Sequence, residues 1–184
     1  MTNLQVLYMH SNTLTGNIPS EIGNMVQLTD LQLQSNQLSG TIPSVIGHLL
    51  QLRSLNLRYN SLIGTIPTEL GQLNNLKNLQ LDFNHLTGPF PNEMGQDSGL
   101  VIFDLIGNDL SGTISSSFCS LNLQSFNVCF AEGAGCNHLE AIAPCLIDIY
   151  GNQFPHSPQV TSSSSSETSS NSALKQLINS LICY

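Results

Sequence analysis

The sequence predicts an α/β solenoid: a right-handed superhelix with a parallel concave β-sheet and short 3₁₀ or second-sheet elements on the convex side. Three observations predict it. Apolar residues recur with a period of 24, as in Leu4, Leu28, Leu52, Leu76 and Leu100. Within each period an apolar pair alternates across one intervening residue, as in Leu31 and Leu33 or Leu79 and Leu81. An asparagine follows each pair at the same offset: Asn12, Asn36, Asn60, Asn84 and Asn108. A fixed period of this length marks stacked supersecondary units, none of which buries its apolar face alone.

Each column has a physical reason. The alternating pair runs from Leu7 and Met9 to Phe103 and Leu105. Alternation at period two points both side chains to one face of a short strand. Stacking joins those faces into one core. The Asn column falls where the strand must turn. A carboxamide carries donors and an acceptor, so this column is expected to satisfy backbone groups of its own turn and the next. Gly16, Gly40, Gly64, Gly88 and Gly112 follow at the next bend, where glycine admits a positive φ. Ile18, Ile42, Ile66, Phe90 and Ile114 precede Pro19, Pro43, Pro67 and Pro91, and Ser115 breaks the proline series. Proline fixes φ and holds an extended segment. The Ile-Gly-x-Leu run then returns the chain on the convex side as a 3₁₀ turn.

The combined pattern, L-x-x-L-x-L-x-x-N-x-L-x-G-x-I-P-x-x-I-G-x-L, resembles the plant-type, 24-residue leucine-rich repeat from Leu4 to Val128. The resemblance implies a second short sheet at the Ile-Pro segment, which twists the solenoid. It extends to the ectodomains of receptor-like kinases, to polygalacturonase-inhibiting proteins and to algal and diatom leucine-rich repeat proteins. Fold alone assigns no ligand, because the family serves many kinds of binding.

Four segments are expected. Residues 1–122 form five repeats, and residues 123–154 form a cysteine-containing cap with a degenerate sixth strand at Leu123, Phe126 and Val128. Residues 155–172 are a Ser-rich linker, with an unbroken run from Ser162 to Ser166 that cannot bury enough surface to fold. Residues 173–184 have apolar positions at helical spacing, Ala173, Leu174, Leu177, Ile178, Leu181 and Ile182, which reads as a short, marginal amphipathic helix. The chain opens inside the repeat pattern, and this reads as truncation upstream.

Four of the five cysteines, Cys119, Cys129, Cys136 and Cys145, fall at the cap, and the fifth is Cys183. The Phe118-Cys119-Ser120-Leu121 element with further cysteines resembles the disulfide cap of secreted leucine-rich repeat proteins. Four cysteines allow three pairings, and the sequence does not choose among them. The pairing Cys119–Cys129 with Cys136–Cys145 is the first to consider. Free thiols in a cytosolic protein are the alternative reading. Zinc is disfavoured, because Cys136 and His138 do not have a standard ligand spacing. No metal and no cofactor is expected.

Composition narrows the partners. Lys plus Arg is 4 and Asp plus Glu is 12, giving a net charge of −8. Nucleic acid and anionic membrane both need a basic face, so the charge argues against both, and no nucleic-acid partner is expected. No apolar run reaches the roughly 20 residues of a membrane span. Met1-Thr2-Asn3 does not open a signal peptide, and no Asn-x-Ser/Thr acceptor is present. The cap cysteines and the resemblance still point to an extracellular or cell-surface protein, with a cytoplasmic location as the alternative.

No active site is visible. His10, His48 and His85 are scattered, and Glu21, Glu69 and Glu93 recur on the convex side as solvated charges. Binding is the expected role. The positions between the apolar columns face the concave surface. They supply Tyr8, Gln32, Asn56, Gln80 and Asp104, then His10, Gln34, Arg58, Asp82 and Ile106, then Ser11, Ser35, Tyr59, Phe83 and Gly107. Arg58, Tyr59, Asp82 and Phe83 form a contiguous charged and aromatic cluster of the kind enriched at binding hot spots. The plain alternative is that the two rings cover a strand edge. The expected ligand is a protein or peptide, neutral or basic, with a cell-wall glycan as a further class. A second surface bears Thr15, Ser39, Thr87 and Ser111, beside Thr41, Thr65 and Thr113, interrupted by Ile63 and Pro89. A Thr/Ser ladder of this kind raises ice binding as the alternative function.

Overall fold

The structure, a computed structural model, describes residues 3–96, 99–128 and 138–141. The Ser-rich linker, the C-terminal apolar segment, Cys129, Cys136, Cys145 and Cys183 lie outside the described residues.

Each period folds as one coil. The first gives β1 (Val6–Tyr8), β2 (Thr15–Asn17) and a 3₁₀ turn at Ser20–Asn24. The second gives β3 (Asp30–Gln32), β4 (Gln37–Ser39) and a turn at Ser44–His48. The third gives β5 (Ser54–Asn56), β6 (Ile63–Gly64) and a turn at Thr68–Gln72. The fourth gives β7 (Asn78–Gln80), β8 (His85–Pro89) and a turn at Asn92–Gly95. The fifth gives β9 (Ile102–Asp104), β10 (Asp109–Thr113) and a turn at Ser116–Ser120. Then come β11 (Ser125–Asn127), at the degenerate sixth strand position, and β12 (His138–Ala141).

The odd-numbered strands form one six-stranded parallel sheet in the order β1-β3-β5-β7-β9-β11. Its register places Leu7, Leu31, Leu55, Leu79, Phe103 and Phe126 in line. Those side chains stack inward, and Leu31, Leu55, Leu79 and Phe103 have no exposed surface.

The second sheet departs from the expectation in position and continuity. Its strands lie at or just before the Gly column, and all five repeat strands end before the Ile-Pro pair or its equivalent. They form two parallel pieces, β2-β4 and β6-β8-β10-β12. Amides of Ser61 and Ile63 still donate to Leu38 and Gly40 carbonyls across the gap, both at 2.8 Å.

The convex turns pack closely. A Cβ on Gly47 would lie 2.6 Å from Cβ of Glu69 and 2.8 Å from its carbonyl oxygen. Only glycine permits that approach. Proline leads into the first four turns, and at the fifth Ser115 replaces it with a hydrogen-bonded cap. Its Oγ accepts from the Ser117 amide at 3.1 Å, and its own amide donates to Asn92 Oδ1 at 2.7 Å. A proline there would make neither bond.

The two ends of the core differ. At the β11 end, Phe90, Phe103, Phe118 and Phe126 form one aromatic plug with centroids 5.3 to 6.3 Å apart. At the β1 end, Leu4, Leu7 and Leu14 are only partly buried, and Met9 is exposed. No described residue stacks on the outer side of β1. Among the described residues, no helix is long and apolar enough to cross a membrane.

Candidate functional site: the concave face

The asparagine column positions the face. Asn60 Nδ2 donates to the carbonyls of Leu33, Leu57 and Arg58 at 3.1, 3.0 and 3.3 Å. Its Oδ1 accepts from the Leu38 amide at 3.0 Å. Asn36, Asn84 and Asn108 accept in the same way from Leu14, Leu62 and Leu86, each at 3.0 Å. The column therefore ties each turn to the preceding one, not to the next as expected. Asn12 is exposed and reaches only Met9 and His10 carbonyls.

The residue before each Asn has a left-handed backbone: Ser11, Ser35, Tyr59 and Phe83 have φ from 52° to 56°, and Gly107 has φ of 73°. For bulky side chains this conformation is rare and costs roughly 1–3 kcal/mol. It persists here because the ladder over-determines the turn. Nothing in the sequence reading anticipated it, although Gly107 in the same column was the available signal.

The structure groups the expected site residues into three sets. Gln32, Asn56 and Gln80 form a polar floor. Asn56 Nδ2 donates to Gln80 Oε1 at 3.0 Å, and Gln32 Nε2 donates to Ser54 Oγ at 2.9 Å. Arg58, Tyr59, Asp82 and Phe83 come together where β5 and β7 end. Tyr8 and His10 stand apart at the β1 edge, 6.4 Å from each other, and do not join this cluster.

The aromatic pair is a stack. The Tyr59 and Phe83 rings are 4.7 Å apart and 4° from parallel. The Arg58 guanidinium carbon lies 5.5 Å over the Tyr59 ring. Phe83 occupies one face of Tyr59, so the cation takes the other. Beyond Phe83 stands Gly107, where a Cβ would meet Phe83 Cδ1 at 2.7 Å. The rings still remain 47% and 45% exposed. The stack takes one face of each ring and Arg58 lies over Tyr59, so the remaining ring surface is what a ligand can meet.

Asp82 sits beside this stack at 7% exposure, and its Oδ1 has no hydrogen-bond partner. Arg58 Nε and Gln34 Oε1 on the same row are also buried without a partner. Burial pushes the Asp82 carboxyl above its usual range, and the Asp104 carboxylate pushes the same way. Its own backbone amide and Arg58 oppose the rise. Asp104 continues the expected concave column of Gln32, Asn56 and Gln80. It accepts from Ser125 Oγ at 3.1 Å on the next row.

The second surface is exposed as well. Thr41, Thr65 and Pro89 line an open groove of about 630 Å³ with Pro43 and Pro67. Ile63 and Pro89 interrupt the Thr/Ser row at the surface. Cys119 is disulfide-bonded, with its partner outside the described residues. Among the described residues, no three His, Cys, Asp or Glu side chains gather to hold a metal.

Comparison with known proteins agrees with this architecture. The leucine rich repeat family matches residues 27–86, 3–25 and 99–121. No curated protein matches the sequence. The ectodomain of the Arabidopsis thaliana receptor kinase HAESA, solved with a peptide hormone, is 36% identical over 82% of this chain and 24% of its own, with a TM-score of 0.74. That of GASSHO1/SCHENGEN3, from the same plant, is 41% identical over 75% of this chain and 16% of its own, with a TM-score of 0.70. The ectodomain of SOBIR1, again from Arabidopsis thaliana, is 31% identical over 74% of this chain and 73% of its own, with a TM-score of 0.63. The chain belongs to the leucine-rich repeat family, and its neighbours are plant receptor-kinase ectodomains. It spans only 16–21% of the longer chains of GASSHO1/SCHENGEN3, RGFR1 and PEPR1.

Proposed function

We propose that the chain is a non-catalytic recognition module that binds a peptide or protein ligand on its concave face, outside the cell or at its surface. The observation that carries this is the cluster where β5 and β7 end: a strained aromatic stack, a cation held against it and a buried carboxylate oxygen with no partner. Strain and orphaned polar atoms concentrate where a ligand completes a site. The sheet is pinned by inward apolar pairs and the asparagine ladder, so its outward groups are presented with little ordering cost.

Ring geometry favours a peptide over a glycan. A sugar stacks on an open aromatic face, whereas each ring here has one face taken by the other and Arg58 lies over Tyr59. Peptide groups hydrogen-bond to Gln, Asn and Asp and pack on ring edges. The net charge of −8 favours a neutral or basic partner at long range. Among the neighbours, the HAESA ectodomain was solved with a peptide hormone and RGFR1, a plant peptide hormone receptor, with RGF2, in line with this reading.

The test is selection of a displayed random-peptide library on the full chain. Arg58→Ala and Tyr59→Ala should keep the fold and weaken selected peptides by roughly 1–3 kcal/mol. Peptides that bind both variants normally, or no selected peptide at all, would refute the concave site. Ice binding by the Thr/Ser row is the competing reading. It requires thermal hysteresis, which a peptide module does not produce.

A further inference from the structure

We infer that the concave face holds a subsite for a basic side chain, lysine or arginine, of the peptide ligand, with Asp82 as its counter-ion and Asp104 as the adjacent charge. This rests on the peptide reading above and deepens it.

The argument starts from Asp82. A carboxylate at 7% exposure with an unpartnered oxygen is costly in a folded protein unless something pairs with it. The neighbouring cation attracts the carboxylate but makes no hydrogen bond to the bare oxygen. Arg58 is held over the Tyr59 ring, and its Nε lacks a partner as well. The missing group is therefore a donor brought from outside. A charged donor fits best, because charge-assisted bonds to carboxylates are the strong ones.

Two neighbours select a cation over a neutral donor. Asp104 adds a second negative charge near Asp82 and raises its proton affinity. A ligand cation relieves that repulsion, whereas a ligand carboxylate would add to it. Phe83 follows Asp82 directly and exposes a ring edge. That edge gives an apolar wall for the methylene stem of lysine or arginine, whose head then reaches the carboxylates.

The test uses the full chain and a phage-displayed library of random 12-residue peptides. Selected peptides should share a Lys or Arg at one position. Replacing that residue by norleucine or citrulline in the synthetic peptide should weaken binding on the order of 30-fold or more. Asp82→Asn should cost the parent peptide a similar factor and cost the substituted peptide nothing further. Asp104→Asn should cost a few-fold. Glu21→Gln, which removes one charge on a convex turn, should leave affinity unchanged. Melting of Asp82→Asn monitored by circular dichroism should show an intact fold. Selected peptides without a shared basic residue, full-strength binding to Asp82→Asn, or an equal loss with Glu21→Gln would overturn the inference while leaving the peptide reading in place. Peptides indifferent to Arg58→Ala, Tyr59→Ala and Asp82→Asn together would overturn both.

Discussion

Tyr59 lies flat against Phe83, with centroids 4.7 Å apart and planes 4° from parallel. Both residues hold a left-handed backbone, with φ of 52° and 54°. The stack and the strain have one origin. The turn before the ladder asparagine forces positive φ on this column, and successive repeats then set two rings one strand spacing apart. An offset aromatic stack contributes about 0.5–1.5 kcal/mol, so it offsets part of the backbone cost without removing it.

Gly107 closes the stack, and Gly107→Ala tests that. A Cβ there would press 2.7 Å from the Phe83 ring and 3.1 Å from its Cα and N, at φ of 73°. The expected loss is about 1–3 kcal/mol, read by urea denaturation. Adding Phe83→Ala should recover only part, because the backbone contacts remain. Full recovery would show that only the ring is crowded.

The asparagines should differ sharply by position. Asn60→Ala leaves the buried Leu38 amide without a partner, while the Leu33 and Leu57 carbonyls each lose one of two asparagine donors and keep Asn36 and Asn84, at a cost of about 1–3 kcal/mol. Asn12→Ala affects only an exposed side chain and should cost well under about 1 kcal/mol. Equal losses in a denaturant series would contradict the directional ladder.

Stability should depend on pH through Asp82. Its carboxyl titrates above the usual range, so above that range the folded state holds the proton more tightly than the unfolded one. The stabilisation this gives is complete below the ordinary carboxylate value and is lost as pH rises through the raised one. Asp82→Asn should therefore gain stability over wild type at pH 7, and the gain should shrink as pH falls to the ordinary carboxylate range. Paired denaturation curves across that window read the sign. A variant less stable at pH 7 than wild type would mean that the carboxylate is paired in solution.

Restoring the repeat consensus at the fifth turn should fail. Ser115 has φ of −68°, which proline tolerates. Ser115→Pro nevertheless deletes the bond to Asn92 and the cap on Ser117. A loss of about 1–2 kcal/mol is expected from thermal or chemical unfolding, and a stabilised variant would show that those bonds contribute little.

The columns made the fold legible. Burial at Leu31, Leu55 and Leu79 needs only the period and the alternation, both written in apolar residues. The concave residues were legible as positions, because alternation decides which side chains leave the core. Their pairing was not. That Tyr59 meets Phe83 face to face depends on a backbone sign that side-chain chemistry does not encode, since serine, tyrosine, phenylalanine and glycine all occupy that column. Asp82 looked like a surface charge beside Arg58. Its burial was not legible, because alternation shows which side chains leave the core and not how neighbouring coils pack around them. The direction of the asparagine bonds was also hidden, because a carboxamide reaches either way and only the coil's handedness and offset decide.

That direction gives the solenoid a grain, as overlapping tiles give one to a roof. Each coil's Leu amide is covered by the asparagine of the coil after it, as Asn84 covers Leu62 and Asn108 covers Leu86. Peeling a coil from the β11 side strips a backbone amide of its cover and leaves it in an apolar seam. Peeling one from the β1 side leaves the ladder a bare carboxamide instead, which water solvates readily, while the sheet bonds between coils are lost from either side. Opening should therefore begin more easily at the β1 side and travel forward, coil by coil, toward the aromatic plug. Amide exchange along the Leu14, Leu38, Leu62 and Leu86 series should slow in that order.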